Sequence, residues 1–127
     1  MTELKIELPL PPTLNHAYRS TSSREGRPYP YKTSTAKAWQ RDAWVVIQNA
    51  KKQQPMITGP CKVSVELHVT YKRDIDSSFK LLFDVLQTAR VYKNDGLIVW
   101  LEAKRYQDKL DKVVIYVTDL GTTPEES

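Results

Sequence analysis

A chain of 127 residues with 40% hydrophobic content holds enough apolar side chains for one modest core, which speaks against two independent domains. Lys plus Arg outnumber Asp plus Glu by 19 to 15, and this basic balance favours polyanionic partners without proving them. Cys61 is the only cysteine, so an intramolecular disulfide and a thiolate zinc site are excluded and a reducing cytoplasm is the expected setting. The N-terminal stretch carries acids and no segment approaches membrane-spanning length, so neither export nor a membrane is expected.

In chain order, Leu4, Ile6 and Leu8 alternate with Lys5 and Glu7, which predicts a first strand stopped by Pro9, Pro11 and Pro12. From Thr13 to Lys32 the chain is rich in Ser, Pro, Tyr and Arg and reads as a long connection. Its Arg19, Arg24, Arg27 and Lys32 offer charge, and Tyr18, Tyr29 and Tyr31 offer flat faces for stacking. It is either a plain surface loop or a flap that touches nucleic acid. Ser34 or Thr35 is the expected cap of a helix running to about Gln53, with Trp39, Ala43, Val46, Ile47 and Ala50 as its apolar stripe.

Pro55 and Gly59-Pro60 end that helix. Cys61, Val63, Val65, Leu67, Val69 and Tyr71 then alternate with Lys62, Ser64, Glu66, His68 and Thr70, the clearest strand signal in the sequence. His68 falls on the polar side, where a lone histidine reads as an ordinary surface residue. Phe79, Leu82, Phe83 and Leu86 recur at helical spacing, predicting a second helix from near Asp76 to about Arg90. The turn Lys93-Asn94-Asp95-Gly96 precedes an apolar strand, Leu97–Leu101, and a last strand runs from Val113 to Val117. Residues 121–127 read as a flexible tail, leaving one domain over 1–120.

The segment from Lys72 to Lys80 carries the chemistry. Asp74 and Asp76 share a side while the backbone stays extended, and paired like charges are unfavourable unless a cation lies between them. The plain alternative for Asp76 is a helix cap with Lys80 as its ion-pair partner, and for Asp95 a turn former. An EF-hand calcium loop is excluded, because Phe79 and Val85 stand where that loop needs Gly and Glu. Lys80, one turn from Asp76, is placed to stabilise charge building on a phosphate, or merely to pair with Asp84. Glu102-Ala103-Lys104 after Asp95 imitates another nuclease motif at too short a spacing.

Leu8-Pro9-Leu10-Pro11-Pro12-Thr13-Leu14-Asn15, Arg73-Asp74-Ile75-Asp76 with Lys80, and Asn94-Asp95 together resemble the RusA-type Holliday junction resolvases over nearly the whole chain. That resemblance implies a homodimeric, Mg2+-dependent endodeoxyribonuclease, with Mn2+ an alternative ion, common in phages and prophages and serving DNA recombination and repair. It implies metal binding by Asp74, Asp76 and Asp95, catalysis by these acids with Lys80, and paired nicks in four-way or branched DNA that leave 5′ phosphate and 3′ hydroxyl ends. Asn15, Arg19, Arg24, Arg27, Lys32, Lys72 and Arg73 are the expected nucleic-acid contacts. Ser77 replaces the family's usual Asn, and Asn94-Asp95-Gly96-Leu97 replaces its Asp-Asp-x-Gln.

The expected fold is α/β (α+β): a mixed sheet flanked by two helices, in the order β-α-β-α-β-β. Two other readings are a module that grips branched DNA without cutting it, and an interaction protein whose acids only form surface ion pairs.

Overall fold

The computed structural model describes residues 3–12, 18–22, 28–71 and 79–121, with the backbone path alone at 18–22 and 28–32. Its elements are β1 (Glu3–Pro9), β2 (Tyr18–Ser22), β3 (Pro28–Lys32), α1 (Ser34–Lys51), β4 (Cys61–Val69), α2 (Phe79–Thr88), a 3-10 turn (Asp95–Leu97), β5 (Ile98–Gln107) and β6 (Lys112–Asp119). The predicted mixed sheet with two helices, in the predicted order, is what the chain forms. The connection at 13–32 is the exception: β2 and β3 pair as an antiparallel hairpin where an unstructured loop was expected.

Four strands make the main sheet in the order β1-β6-β4-β5. β6 lies antiparallel between β1 and β4, and β4 and β5 run parallel. A parallel neighbour cannot be reached by a tight turn, so α2 serves as the crossover from β4 to β5. Alternation in the strands decides which face the helices cover. Leu4, Ile6 and Leu8 of β1, the odd residues Cys61 to Val69 of β4, and Val113, Ile115 and Val117 of β6 form one buried cluster. Ala36, Trp39, Ala43 and Ile47 of α1 and Leu81, Leu82, Val85 and Leu86 of α2 belong to the same cluster.

The buried stripe of α1 therefore starts one turn earlier than expected, at Ala36, and omits Val46, which is exposed on the flank. A stripe at i, i+3, i+7 and i+11 is narrow, and Val46 lies outside it. The cap is Thr33 and not Ser34 or Thr35: its hydroxyl accepts a hydrogen bond from the Ala36 amide at 3.2 Å, and Ser34 is already the first helical residue. The Trp39 indole donates to the Pro9 carbonyl at 3.0 Å, fixing α1 against the end of β1. β4 ends at Val69, before Tyr71, which is 83% exposed. β5 runs on past Leu101 to Gln107, and Val99, Trp100 and Leu101 are exposed because β5 is an edge strand beyond the reach of both helices.

Cys61 starts β4 with its side chain fully buried. Burial, and then the nearby Asp119 carboxylate, push its thiol up to about 11. A thiol alkylates as its thiolate. Iodoacetamide at neutral pH is thus expected to leave native Cys61 unmodified and to label it in urea, and prompt labelling of the folded protein contradicts this burial.

Candidate active site

Lys80 is exposed in the first turn of α2, and Asp95 is exposed at the start of the 3-10 turn. α2 stops by a backbone device that sets up this turn. Arg90 adopts a left-handed conformation at φ 63°, its amide donates to the Gln87 carbonyl at 3.0 Å, and the Val91 amide donates to the Leu86 carbonyl at 3.0 Å. That paired pattern is the Schellman closure of a helix. The chain then dives inward: Tyr92 is fully buried, and its hydroxyl donates to the Phe83 carbonyl at 3.0 Å. The Ile57 amide donates to Val91 and the Lys93 amide to Ile57, each at 2.9 Å, clamping the segment from the other side.

The acid-bearing turn is held as firmly. Asn94 Oδ1 accepts from the Gly96 amide at 2.9 Å, and the Leu97 amide donates to the Asn94 carbonyl at 3.2 Å. A Cβ on Gly96 would meet Asn94 Oδ1 at 2.8 Å, so glycine is what lets this cap close. Gln87 Oε1 accepts from the Asp95 amide at 3.1 Å, tying the turn to α2. Lys80, Asp84 and Gln87 recur at i, i+4 and i+7, so Asp95 is anchored on the side of α2 that carries Lys80, about two turns or 10 Å further along the axis.

Asp84 is the acid that the sequence assigned only an ion-pair role. Ionisation of the Tyr92 hydroxyl is pushed far up by burial, then by Asp95, Cys61 and Asp84. Asp95 and Asp84 thus both lie near enough to disfavour negative charge on the Tyr92 hydroxyl. Their hard carboxylate oxygens are the donor type for Mg2+ or Ca2+. Among the described residues no group of three or more His, Cys, Asp or Glu side chains gathers into a metal site. Asp74 and Asp76, the acids expected to complete it, lie outside the described residues, as do Asn15, Arg24, Arg27, Lys72 and Arg73. Arg19 and Lys32 face each other's strands across the β2–β3 hairpin, one register step apart, with Tyr18 opposite Lys32 and Arg19 opposite Tyr31.

Two further polar groups lie apart from this turn. His68 is part-buried, stacks on Tyr106 at 4.9 Å between centroids, and shares a 2.7 Å hydrogen bond with Asp108. An ionised carboxylate only accepts, so Nδ1 carries the proton. That bond first, and then the Leu110 amide at 3.0 Å, hold the Asp108 carboxyl below the usual range. His68 is thus a structural clamp on the β5–β6 connection. Glu102 lies 3.7 Å from Lys62 on the sheet, so it forms an ion pair across to β4.

A mixed sheet crossed by a short helix, with a lysine in the first turn of that helix and an acidic turn tied to its far end, makes a small α/β domain. The chain belongs to the endodeoxyribonuclease RusA family, whose model matches residues 9–118, and so to the nucleases that hydrolyse DNA phosphodiester bonds. It is similar over 124 residues, at 28% identity, to the crossover junction endodeoxyribonuclease RusA of Escherichia coli O139:H28 (strain E24377A / ETEC), covering 95% of this chain and 98% of that one. It is also similar to the crossover junction endodeoxyribonuclease of Lactococcus phage r1t, 37% identical over 51 residues that make up 40% of this chain and 39% of the phage protein. Among the described residues no helix is long and apolar enough to cross a membrane.

Proposed function

We propose that this protein is a divalent-metal-dependent endonuclease that resolves four-way DNA junctions by paired, symmetrical nicks. The observation that carries the reading is the fixed placement of Asp95 against α2 through Gln87, on the side of the helix whose first turn bears Lys80. Asp74, Asp76 and Asp95 are the proposed ligands of Mg2+, with Mn2+ as a substitute. Bound there, the ion would sharpen a water nucleophile and neutralise the charge developing on the phosphate.

The chain's own groups do the rest. The Lys80 ammonium stabilises charge on the scissile phosphate from the helix surface. The Gln87 and Asn94 hydrogen bonds keep the Asp95 backbone from moving as DNA arrives. Arg19, Arg24, Arg27, Lys32, Lys72 and Arg73 neutralise backbone phosphates, and Asn15 contacts the nucleic acid beside them, so binding is expected to weaken steeply with salt. Paired nicks need two active sites related by a twofold axis, so a homodimer is the proposed working unit. Recombination and repair of phage or prophage DNA is the proposed setting.

The test is direct. Purified protein is incubated with a synthetic four-way junction, a fork mimic and linear duplex, with Mg2+ or with chelator. Metal-dependent paired nicks in the junction support the proposal, and an uncut junction at every metal concentration overturns it.

Asn94 favours the second reading, a junction binder with little cutting, because an amide stands where the family pattern has the first of two acids and its oxygen is engaged on Gly96. Asn94→Asp keeps an equally good cap while adding a carboxylate. It is expected to raise cleavage by about 10-fold or more, the worth of about one pK-scale interaction, 1.4 kcal/mol, in the transition state. An unchanged rate in single-turnover assays contradicts the idea that this position limits activity.

A further inference from the structure

We propose that the groove between α1 and α2 is a nucleotide subsite, in which Trp44 stacks on an unpaired base near the branch point while Lys37 and Arg41 hold the phosphates beside it. The groove is lined by Gln40, Arg41, Trp44, Val85 and Thr88. Gln40, Trp44 and Gln48 recur at i, i+4 and i+8, and the two glutamines bond to α2 carbonyls, so Trp44 stands midway along the seam between the helices. Its ring is nonetheless 44% exposed, over the buried side chain of Val85.

Charge identifies the occupant. Lys37 and Arg41 precede Trp44 by seven and three residues, which puts all three on one side of α1. Both cations are exposed, and neither forms an ion pair among the described residues. Asp42, the one acid of α1, projects about 160° away from Trp44 around the helix axis. An apolar partner seated on the indole would bury two cations without a counter-ion, which is costly. A nucleic-acid strand supplies a flat base for the ring and phosphates for the cations together.

The groove also lies where such a strand passes. Gln40 reaches the Leu81 carbonyl and Gln48 the Ala89 carbonyl, each 41 residues on, so α1 and α2 run side by side in the same direction. Lys37 and Arg41 therefore bracket the level of Lys80. At the usual helix separation Arg41 stands about 10 Å from Lys80, about three nucleotide steps along a strand. A base that close to the cut is free to stack only where pairing is interrupted, as at a branch. This placement rests on the nuclease reading above, while the stacking surface rests on α1 and α2 alone.

The test measures binding of the full chain, in chelator, to a synthetic four-way junction and to linear duplex, with circular dichroism confirming that each variant folds. Trp44→Ala is expected to weaken junction binding by about 10-fold or more and duplex binding by less than about 2-fold, since a paired base cannot stack on the ring. Trp44→Phe keeps a flat face and is expected to retain most of the junction affinity. Arg41→Gln is expected to weaken both substrates and to reduce the slope of log affinity against log salt by about 1.

Equal losses on junction and duplex in W44A, no loss at all, a W44F protein as weak as W44A, or an unchanged salt slope in R41Q overturns the proposal. So does a W44A protein with altered sedimentation, which would make this face a protein contact. A wild type that binds no junction sinks this subsite and the nuclease reading together. Metal-dependent cutting of the junction with W44A binding as wild type would remove the subsite and leave the nuclease standing. Trp44-dependent junction binding by a protein that never cuts would do the reverse.

Discussion

Asp74→Asn is expected to lower Mg2+-dependent cutting of a four-way junction by about 1000-fold, the several kcal/mol that a catalytic metal supplies. Junction affinity, measured by gel shift in chelator, should be unchanged or higher, because the substitution removes a negative charge from the phosphate's path. The two readouts together separate the proposed readings. A pure binder shows no metal-dependent cleavage even as wild type. A nuclease whose Asp74 serves only as a surface charge keeps its rate on substitution, and that outcome would remove Asp74 from the metal set. Asp95→Asn should follow the same pattern, with its turn intact, since the Gln87 contact is made to the Asp95 backbone amide and not to its carboxylate.

Leu82→Ala is expected to destabilise the protein by about 2–5 kcal/mol and to lower its melting temperature by an amount on the order of 10 °C. Leu82 is fully buried at the centre of α2, within the cluster shared by β1, β4, β6 and α1. A helix of ten residues has little stability of its own, so packing of Leu81, Leu82, Val85 and Leu86 is what holds it. The hydrogen bonds from Gln48 Nε2 to the Ala89 carbonyl at 2.8 Å and from Gln40 Nε2 to the Leu81 carbonyl at 3.5 Å add two ties to α1. Lys80 and Gln87 ride on the same helix, so loosening it should cost activity as well as stability. Urea unfolding measures the change, and a loss under 1 kcal/mol would mean that the helix is not carried by this packing.

The asymmetry between what could and could not be read in the chain has physical causes. β4 was legible because it is central: one face is sealed by helices, so Cys61, Val63, Val65, Leu67 and Val69 must all be apolar while their neighbours need not be. β5 was legible only at its apolar start. From Glu102 onward it is an edge strand in water, with no buried face to impose alternation, so its length is set by pairing to β4 and is invisible in hydropathy. The β2–β3 hairpin was missed for a related reason. Pro28 and Pro30 lie in β3, and proline marks a strand only where one side goes unpaired, as in a two-stranded ribbon.

At the candidate site, charged residues announce themselves and their supports do not. Lys80 and the Asn94-Asp95-Gly96 turn were evident from residue type and spacing. Gln87 was not, because a glutamine on a helix surface carries no signal until the fold brings the Asp95 amide to it. Asp84 reads from the sequence as half of an ion pair with Lys80, and the fold adds that both it and Asp95 act on the buried Tyr92 hydroxyl.

Convergence of the Asp74–Asp76 segment and the Asp95 turn on one divalent ion is best tested by titrating Mn2+ into isotope-labelled protein and recording amide resonances. Paramagnetic broadening that strikes residues around Asp74, Asp76 and Asp95 together, at the same substoichiometric Mn2+, is the predicted result. Broadening of one group without the other, or of neither, would contradict a shared metal site.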